Sequence, residues 1–212
     1  MQPDPFPDRL IVPDLGLFPL ELVLIPGERV PLHIFEARYR ELIGECLDNF
    51  SEFGLIYRQG VALSPVGTRA RVEAVLERFP DGRFNVVVAG TTRFRLVEET
   101  EGRSFITARV GDLEDLPDPP TDQDVADCLA AFAETQVGAD LPDLEGAPEG
   151  LAFAIAAGAA LPNEVKQELL EMLSERDRVR RLTEALTGQP GEEIRAREIE
   201  RRASGNGKVD HP

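Results

Sequence analysis

Few side chains in this sequence have the chemistry that enzymatic catalysis requires. A nucleophilic Ser, Thr or Cys needs a base within hydrogen-bond reach, and the imidazoles and amines available are His33, His211, Lys166 and Lys208. His33 lies in an alternating segment typical of a strand, Lys166 lies in a charged helical segment, and the other two lie in a polar tail. We therefore predict no catalytic residues and expect that the protein is not an enzyme; a cryptic hydrolase is a disfavoured alternative.

Nucleotide and metal motifs are also missing from the sequence. A P-loop requires Gly-x4-Gly-Lys-Ser/Thr so that backbone N–H groups and a lysine wrap phosphates, whereas the Gly207-Lys208 pair is followed by Val209. The two cysteines, Cys46 and Cys128, each fall on the apolar stripe of a predicted helix, which is typical of small buried hydrophobic residues. We predict no cofactor and no metal site.

The charge of the chain restricts its partners. The formal net charge is −16 over 212 residues, and most of the acidic excess lies in residues 112–212. Such a chain repels phosphate backbones, which are bound through Lys and Arg, so we predict no nucleic-acid partner. No apolar run approaches the ~20 residues that span a bilayer, and the N-terminal segment lacks the regions of a signal peptide. We expect a cytoplasmic protein with no membrane partner.

The first half of the chain has the alternation of a β-rich domain. Residues 68–79 alternate between apolar and charged side chains, Pro80-Asp81-Gly82 supplies a tight turn, and residues 84–89 return as the partner strand. Apolar side chains recur at helical spacing over residues 35–50. About six strands and one helix are predicted in this half.

The second half has helical periodicity. Residues 112–127 are acidic and Pro-rich, which predicts a semi-rigid linker. Thr121, Asn163 and Ser174 are predicted to cap the helices that follow them. Residues 147–160 are apolar nearly all round, which is typical of a buried helix.

These patterns predict an α+β fold in four parts. Residues 1–14 are expected to be an extended N-terminal leader, and residues 15–116 a β-rich subdomain. Residues 117–188 are expected to form a small helical bundle, and residues 189–212 a disordered charged tail.

Two motifs resemble a known family. Residues 17–39 read LFPLELVLIPGERVPLHIFEARY, and the groups around Phe18-Pro19-Leu20, Ile25-Pro26-Gly27 and His33-Ile34-Phe35-Glu36 are similar to the opening of the N-terminal, substrate-binding domain of Lon proteases. Ala37 stands where the family usually has proline. A second block, with Gly67, Gly82, Gly90 and Arg93 at its fixed points, extends the resemblance, which covers roughly residues 15–188.

The resemblance implies a fold and a function. It implies a PUA-like pseudobarrel for the β-rich half and a non-catalytic module that recognises unfolded or extended polypeptide, as an adaptor or holdase. The ATPase and protease domains of Lon are not found in these 212 residues, so we expect a stand-alone protein. The alternative function is an interaction module for a specific folded partner, a separate protease or ATPase. The oligomeric state is expected to be a monomer or weak dimer.

Candidate site residues fall into two sets. Apolar strand segments interrupted by prolines suggest an exposed sheet edge, to which an extended guest can add. The candidate peptide-binding residues are Phe18, Leu20, Leu24, Ile25, His33, Phe35 and Tyr57. The family-motif residues, expected to be mainly structural, are Pro19, Pro26, Gly27, Glu36, Arg38, Tyr39, Gly67, Gly82, Gly90 and Arg93.

An arginine strip is the one local indication of an anionic partner. Arg69 and Arg71 on one predicted strand lie beside Arg93 and Arg95 on another. We interpret the strip as a solvated face paired with neighbouring glutamates, and RNA binding, known for other PUA-like folds, is disfavoured by the net charge.

Overall fold

The computed structural model describes residues 12–135 and 150–188, which form seven strands and five helices. The strands are β1 Val12–Leu20, β2 Arg29–Ile34, β3 Phe53–Gln59, β4 Ala62–Leu63, β5 Val66–Arg78, β6 Phe84–Thr100 and β7 Thr107–Asp112. The helices are α1 Ala37–Asn49, α2 Asp122–Thr135, α3 Leu151–Ala157, α4 Asn163–Glu171 and α5 Glu175–Thr187.

Five of the strands close into a barrel. Neighbours pair in the order β1, β7, β6, β5, β3, and β3 returns to β1 through the parallel register that starts at Leu17↔Gly54. The other barrel pairs are antiparallel. The predicted α+β fold with a pseudobarrel is therefore confirmed.

A three-stranded arm extends from this barrel. The N-terminal half of β6 pairs with β5 on one side and with β2 on the other. One face of the arm, with Ile34, Phe84 and Val86, packs into a core shared with Ile43 of α1. The outermost strand of the arm, on the side opposite β5, is β2.

The β5–β6 hairpin corrects one detail of the sequence prediction. The partner strand was predicted over residues 84–89, but β6 runs unbroken through Gly90 to Thr100. A Cβ at Gly90 would lie 2.4 Å from the carbonyl oxygen of Ile25. This glycine therefore permits a close backbone approach and does not end the strand.

The barrel and the helices share one hydrophobic core. Val23, Ile25 and Tyr57 pack in the same cluster as Phe153 of α3 and Leu182 of α5. All five side chains are at most 9% exposed. The two halves are thus packed layers, and α3 is buried as its composition predicted.

The acidic connection between the halves is anchored, which corrects its interpretation as a simple linker. Leu116 donates its backbone N–H to the carbonyl of Leu173 at 2.9 Å. Asp115 accepts hydrogen bonds from Arg93 of β6 at 2.6 Å and from Arg178 of α5 at 2.8 Å. The carboxylate therefore joins the barrel to the bundle.

Two of the three predicted helix caps have the expected geometry. Ser174 accepts from the N–H of Asp177, and Thr121 exchanges hydrogen bonds with Asp124. Asn163 is not a cap. Its amide group accepts from the N–H of Val23 and donates to the carbonyl of Glu21, so it fastens α4 to the loop before β2.

Two of the four arginines in the strip proposed from the sequence are buried, whereas Arg71 is exposed and Arg95 is half-buried. Arg93 is 2% exposed and Arg69 is 8% exposed. Arg69 pairs with Asp112 at 2.8 Å, and Arg93 pairs with Asp115. The prediction of a solvated face was wrong for Arg69 and Arg93, which the folded chain buries beside Asp112 and Asp115.

The boundaries of the predicted terminal segments are partly outside the described residues. β1 begins at Val12, which pairs with Val110, so residues 12–14 belong to the barrel and not to the leader. Residues 1–11, 136–149 and 189–212 are not described, and the predicted tail lies among them. Within residues 12–135 and 150–188, no helix is long and apolar enough to cross a membrane, and no cluster of ligand side chains suits a metal ion.

Candidate functional site

Burial divides the seven candidate peptide-binding residues. Phe18, Leu24, Ile25 and Tyr57 are at most 9% exposed and pack inside the two larger core clusters. Side chains this deeply buried offer a ligand little surface in this conformation, so the structure places these four residues in the core and not in an exposed groove. Leu20 is half-buried at the end of β1.

His33 and Phe35 are the two candidates that face solvent. Phe35 is 60% exposed, which is high for a phenylalanine so close to a core strand. The ring centroids of His33 and Phe35 are 5.9 Å apart, and Phe79 meets His33 edge-on at 6.0 Å. Phe79 comes from the end of the β5–β6 hairpin, so the third ring is brought in by folding alone.

The strand register extends this aromatic cluster into a continuous surface. Pro31 lies opposite Val87, which lies opposite Ala74. His33 lies opposite Asn85, and their side chains meet at 2.6 Å. We call this surface the arm face; its residues are Pro31, His33, Phe35, Ala74, Glu77, Phe79, Asn85 and Val87.

Sequence reasoning missed most of the arm face. Ala74, Asn85 and Val87 were assigned to a hairpin, but nothing in their types marks them as neighbours of His33. The alternation along β6 could have indicated that Asn85 and Val87 share a face. Phe84, Val86 and Val88 are buried, and the residues between them point to the opposite side of the sheet. Register with β2 was not readable from the sequence.

The outer edge of β2 has no strand partner in the part of the chain that the structure describes. Gly90 donates to the carbonyl of Glu28, and hydrogen-bonded pairs alternate along an antiparallel ladder. Glu28 therefore faces β6, and so does every second residue after it in the 29↔89 to 34↔84 register. The backbone groups of Arg29, Pro31 and His33 point away from β6. Among the described strands, β6 is the one partner of β2. Pro31 lacks an N–H, and a proline is tolerated at such an edge.

An exposed ion pair between β2 and β5 balances the charge at one end of the arm. Arg29 forms a bidentate pair with Glu73, with Nε to Oε2 at 2.6 Å. The hydrogen bond from Arg29, reinforced by its charge, lowers the pKa of the Glu73 carboxyl below its usual value. Both groups are exposed, so this pair neutralises local charge and contributes little to stability.

The other exposed edge of the arm is built differently. Beyond Ala70, β5 lacks a second strand partner among the described residues. In this part of β5 the register against β6 shifts twice, and the strand carries Glu73, Glu77 and Arg78. Bulges and charges of this kind discourage strand addition. Between the two edges, the edge of β2 is the better template for a guest strand.

The first group of family-motif residues lies at the start of α1 and shapes it. Glu36 precedes the helix and accepts from Arg38 at 2.7 Å, and the Arg38 guanidinium lies 4.5 Å over the Tyr39 ring. Tyr39 stacks on Phe18 with centroids 4.0 Å apart. Burial, opposed by the charge of Arg38, raises the pKa of the Tyr39 phenol. These contacts fix the direction in which the chain leaves β2.

The second group lies where the chain turns or packs closely. Pro19 lies opposite Ile56 in the parallel β1–β3 pair, and Gly67 lies opposite Phe94. Gly82 closes the β5–β6 hairpin with a φ of +85°, which other residues rarely adopt. In the loop that abuts β6, Pro26 is buried and Gly27 donates to Gly90. Arg93 lies in β6 and is held by Asp115.

Residues 14–188 match the family described as the ATP-dependent protease La (LON) substrate-binding domain. The chain belongs to this family. The resemblance that the motifs at 17–39 and 66–96 indicated is thereby confirmed, and the arm face lies within the matched region.

Relatives and solved structures agree with this membership. A Lon protease of Paraburkholderia phytofirmans is 27% identical over 188 residues, and one of Anaeromyxobacter dehalogenans is 28% identical over 193. The chain spans about a quarter of the length of these curated relatives, 23% in each case.

The crystal structure of a Lon N-terminal domain protein from Xanthomonas campestris matches 84% of this chain and all of that chain, with a TM-score of 0.64 and 25% identity. The N-terminal domain of a Mycobacterium avium complex Lon protease has a TM-score of 0.60 at 17% identity, which supports the fold.

Proposed function

We propose that this domain binds extended segments of polypeptide by adding them as a strand to the open edge of β2. The observation that carries the proposal is the edge itself: Arg29, Pro31 and His33 turn their backbone groups away from β6. An extended guest takes main-chain hydrogen bonds from such an edge and places alternate side chains on the faces of the sheet.

The arm face supplies the side-chain contacts. Phe35, His33 and Phe79 form an aromatic group at one end, and Pro31 with Val87 continues it along the strand. An apolar guest residue on that face buries against these rings. Aromatic side chains are rigid, so their ordering costs little entropy on binding.

The chemistry of the surface suits recognition without catalysis. Among the described residues of the arm face, the titratable groups are His33 and Glu77, and Asn85 contacts both of them. A nucleophile paired with a base is not part of this arrangement. Family membership supports the same role, since the family is defined by substrate binding. Action as an adaptor or holdase, with a separate protease or ATPase as a further partner, is the finer form of this proposal.

A titration of a permanently unfolded model protein tests the proposal, and two variants of His33 make the test sharp. Both H33A and H33P remove the imidazole, but only H33P also removes the N–H that faces the open edge. We expect binding near micromolar for the native chain, a modest loss for H33A, and a clearly larger loss for H33P.

A second pair of variants tests the side-chain contacts. F35S removes the exposed ring of the arm face, and V61S removes a fully exposed apolar side chain from the β3–β4 turn as a matched control. Binding should weaken for F35S and not for V61S, and this difference should persist in added salt because apolar contacts are not screened. Equal affinities of H33A and H33P, together with an unaffected F35S, would refute strand addition and favour a specific folded partner.

A further inference from the structure

A cleft on another side of the barrel is not used by the proposed function. It lies between α1 and the loop that joins β6 to β7, with a volume of about 380 Å³. That volume is within the range of ligand pockets. The cleft shares no residue with the arm face. Most of the buried side chains that line it are apolar, namely Leu15, Leu42, Cys46 and Phe105, and Thr107 is buried beside them.

One wall of the cleft is fixed by an internal salt-bridge cluster. Arg103 bonds Glu45 and lies 3.5 Å from Glu41, both on α1, and Ser104 donates to Glu41 at 2.6 Å. The Arg103 guanidinium also lies 4.7 Å over the ring of Phe105. These contacts hold the β6–β7 loop against the helix, so the cleft is a pre-formed feature of the fold.

The charge at the mouth of the cleft is negative. Glu45 is neutralised by Arg103, but Glu52 and Glu101 also line the cleft. Neither of these two carboxylates forms an ion pair or hydrogen bond within residues 12–135 and 150–188. An apolar floor with two unpaired carboxylates at the rim matches a cation carried on a hydrocarbon stem.

Phe50 is an exposed aromatic residue next in the chain to two residues of the cleft. It lies between Asn49 and Ser51, which both line the cleft, and it is 97% exposed. Its φ of +52° and ψ of +37° place it in the left-handed region at the end of α1. Helices usually end there with Gly or Asn, so local structure does not favour phenylalanine at this position. Exposed aromatic rings are frequent anchors of protein contacts.

We propose that this cleft is a second polypeptide-binding site, which accepts a lysine side chain of the bound segment. The methylene stem would lie against Leu42 and Phe105, the ammonium group between Glu52 and Glu101, and an apolar neighbour of the lysine on Phe50. The charge of the cleft and the net charge of −16 both favour a basic segment. The inference rests on the proposed function only in taking polypeptide as the ligand.

The test uses the full chain and an unstructured peptide that carries lysines and one phenylalanine. The same peptide with every lysine acetylated is the matched ligand, because acetylation removes the charge and keeps the stem. We expect the native chain to bind the lysine peptide at least tenfold more tightly than the acetylated one. This preference should shrink as salt is added.

Protein variants locate the site. E52Q/E101Q should lose the tenfold preference, whereas the control E164Q/E184Q, which makes the same charge change at exposed helix positions, should retain it. F50N should weaken peptide binding without loss of stability, since Asn tolerates the left-handed conformation. Equal preference in E52Q/E101Q and its control would overturn the proposal.

Two further experiments distinguish binding in this cleft from binding at the arm face and from binding of small amines. H33P should weaken binding of the unfolded model protein and leave the lysine preference intact, so failure at one site is distinguishable from failure at the other. N-acetyl-lysine methylamide alone should bind at least tenfold more weakly than the peptide. Equal binding of the two would assign the cleft to a free amine and refute a polypeptide site.

Discussion

Replacing Asp115 with alanine should destabilise the whole domain, because this carboxylate joins two buried guanidinium groups from different layers. The Arg93 side chain is 1% exposed and that of Arg178 is 0% exposed. Asp115 accepts from Arg93 at 2.6 Å, from Nη1 of Arg178 at 2.8 Å, and from Nη2 of Arg178. Both arginines also lie over the ring of Phe153.

The size of the destabilisation depends on which hydrogen bonds the two arginines keep in D115A. Arg93 retains the carbonyls of Leu170 and Met172, and Arg178 retains Glu175 and the Met172 carbonyl. The loss is therefore less than the sum of three charge-assisted hydrogen bonds at about 1.5 to 3 kcal/mol each. Breaking a buried pair on one side costs about 3 to 5 kcal/mol, which is a large share of the roughly 5 to 15 kcal/mol of a typical domain.

Urea denaturation at neutral pH measures the effect, with E114A as the matched control. Glu114 is the exposed neighbour of Asp115, and its replacement should change the free energy of unfolding by less than about 0.5 kcal/mol. D115A should lower the midpoint with an unchanged slope. A midpoint for D115A that equals that of E114A would show that the two arginines do not depend on Asp115 and would refute this reasoning.

The same carboxylate makes a pH-dependent prediction. Burial alone would raise the pKa of Asp115, but the hydrogen bonds and charges of Arg178 and Arg93 lower it below the ordinary aspartate value. A depressed native pKa stabilises the fold above the unfolded pKa, about 3.9, and the contribution is lost as pH falls through the native value. The stability difference between native protein and D115N should therefore be constant near neutrality and shrink below about pH 4.

Three other substitutions test separate parts of the structure by urea or thermal denaturation. Ala156→Asp puts an unpaired carboxylate into the fully buried face of α3 and should cost at least ~3 kcal/mol; the half-buried Ala157→Asp should cost less. Lys166→Met removes the ammonium group that lies 2.6 Å from the buried carboxylate of Glu28; breaking this buried pair should cost about 3 kcal/mol, and adding Glu28→Gln should restore part of the loss. Phe50→Asn relieves a left-handed phenylalanine and should raise stability by about 1 kcal/mol; a lower melting temperature would show that the ring has a stabilising contact.

The sequence alone determined the types and order of most elements. Period-2 alternation placed β5 and the hairpin turn, helical spacing placed α1, α4 and α5, and Ser174 was identified as a cap. These features depend on residues near each other along the chain, where propensity and capping chemistry act directly. The resemblance of residues 17–39 to the family also predicted the barrel, because its turns and close backbone approaches are encoded in local residue types.

The tertiary structure alone decided which of these residues reach solvent. Leu24 and Phe35 look alike in the sequence, yet Leu24 is 1% exposed and Phe35 is 60% exposed. Arg93 looked like a surface charge until Asp115, 22 positions away, was brought to it. Strand register and barrel closure are long-range properties, since a shift of one residue exchanges the faces of a strand. The open edge of β2 and the arm face therefore became visible only when β6 was placed between β2 and β5.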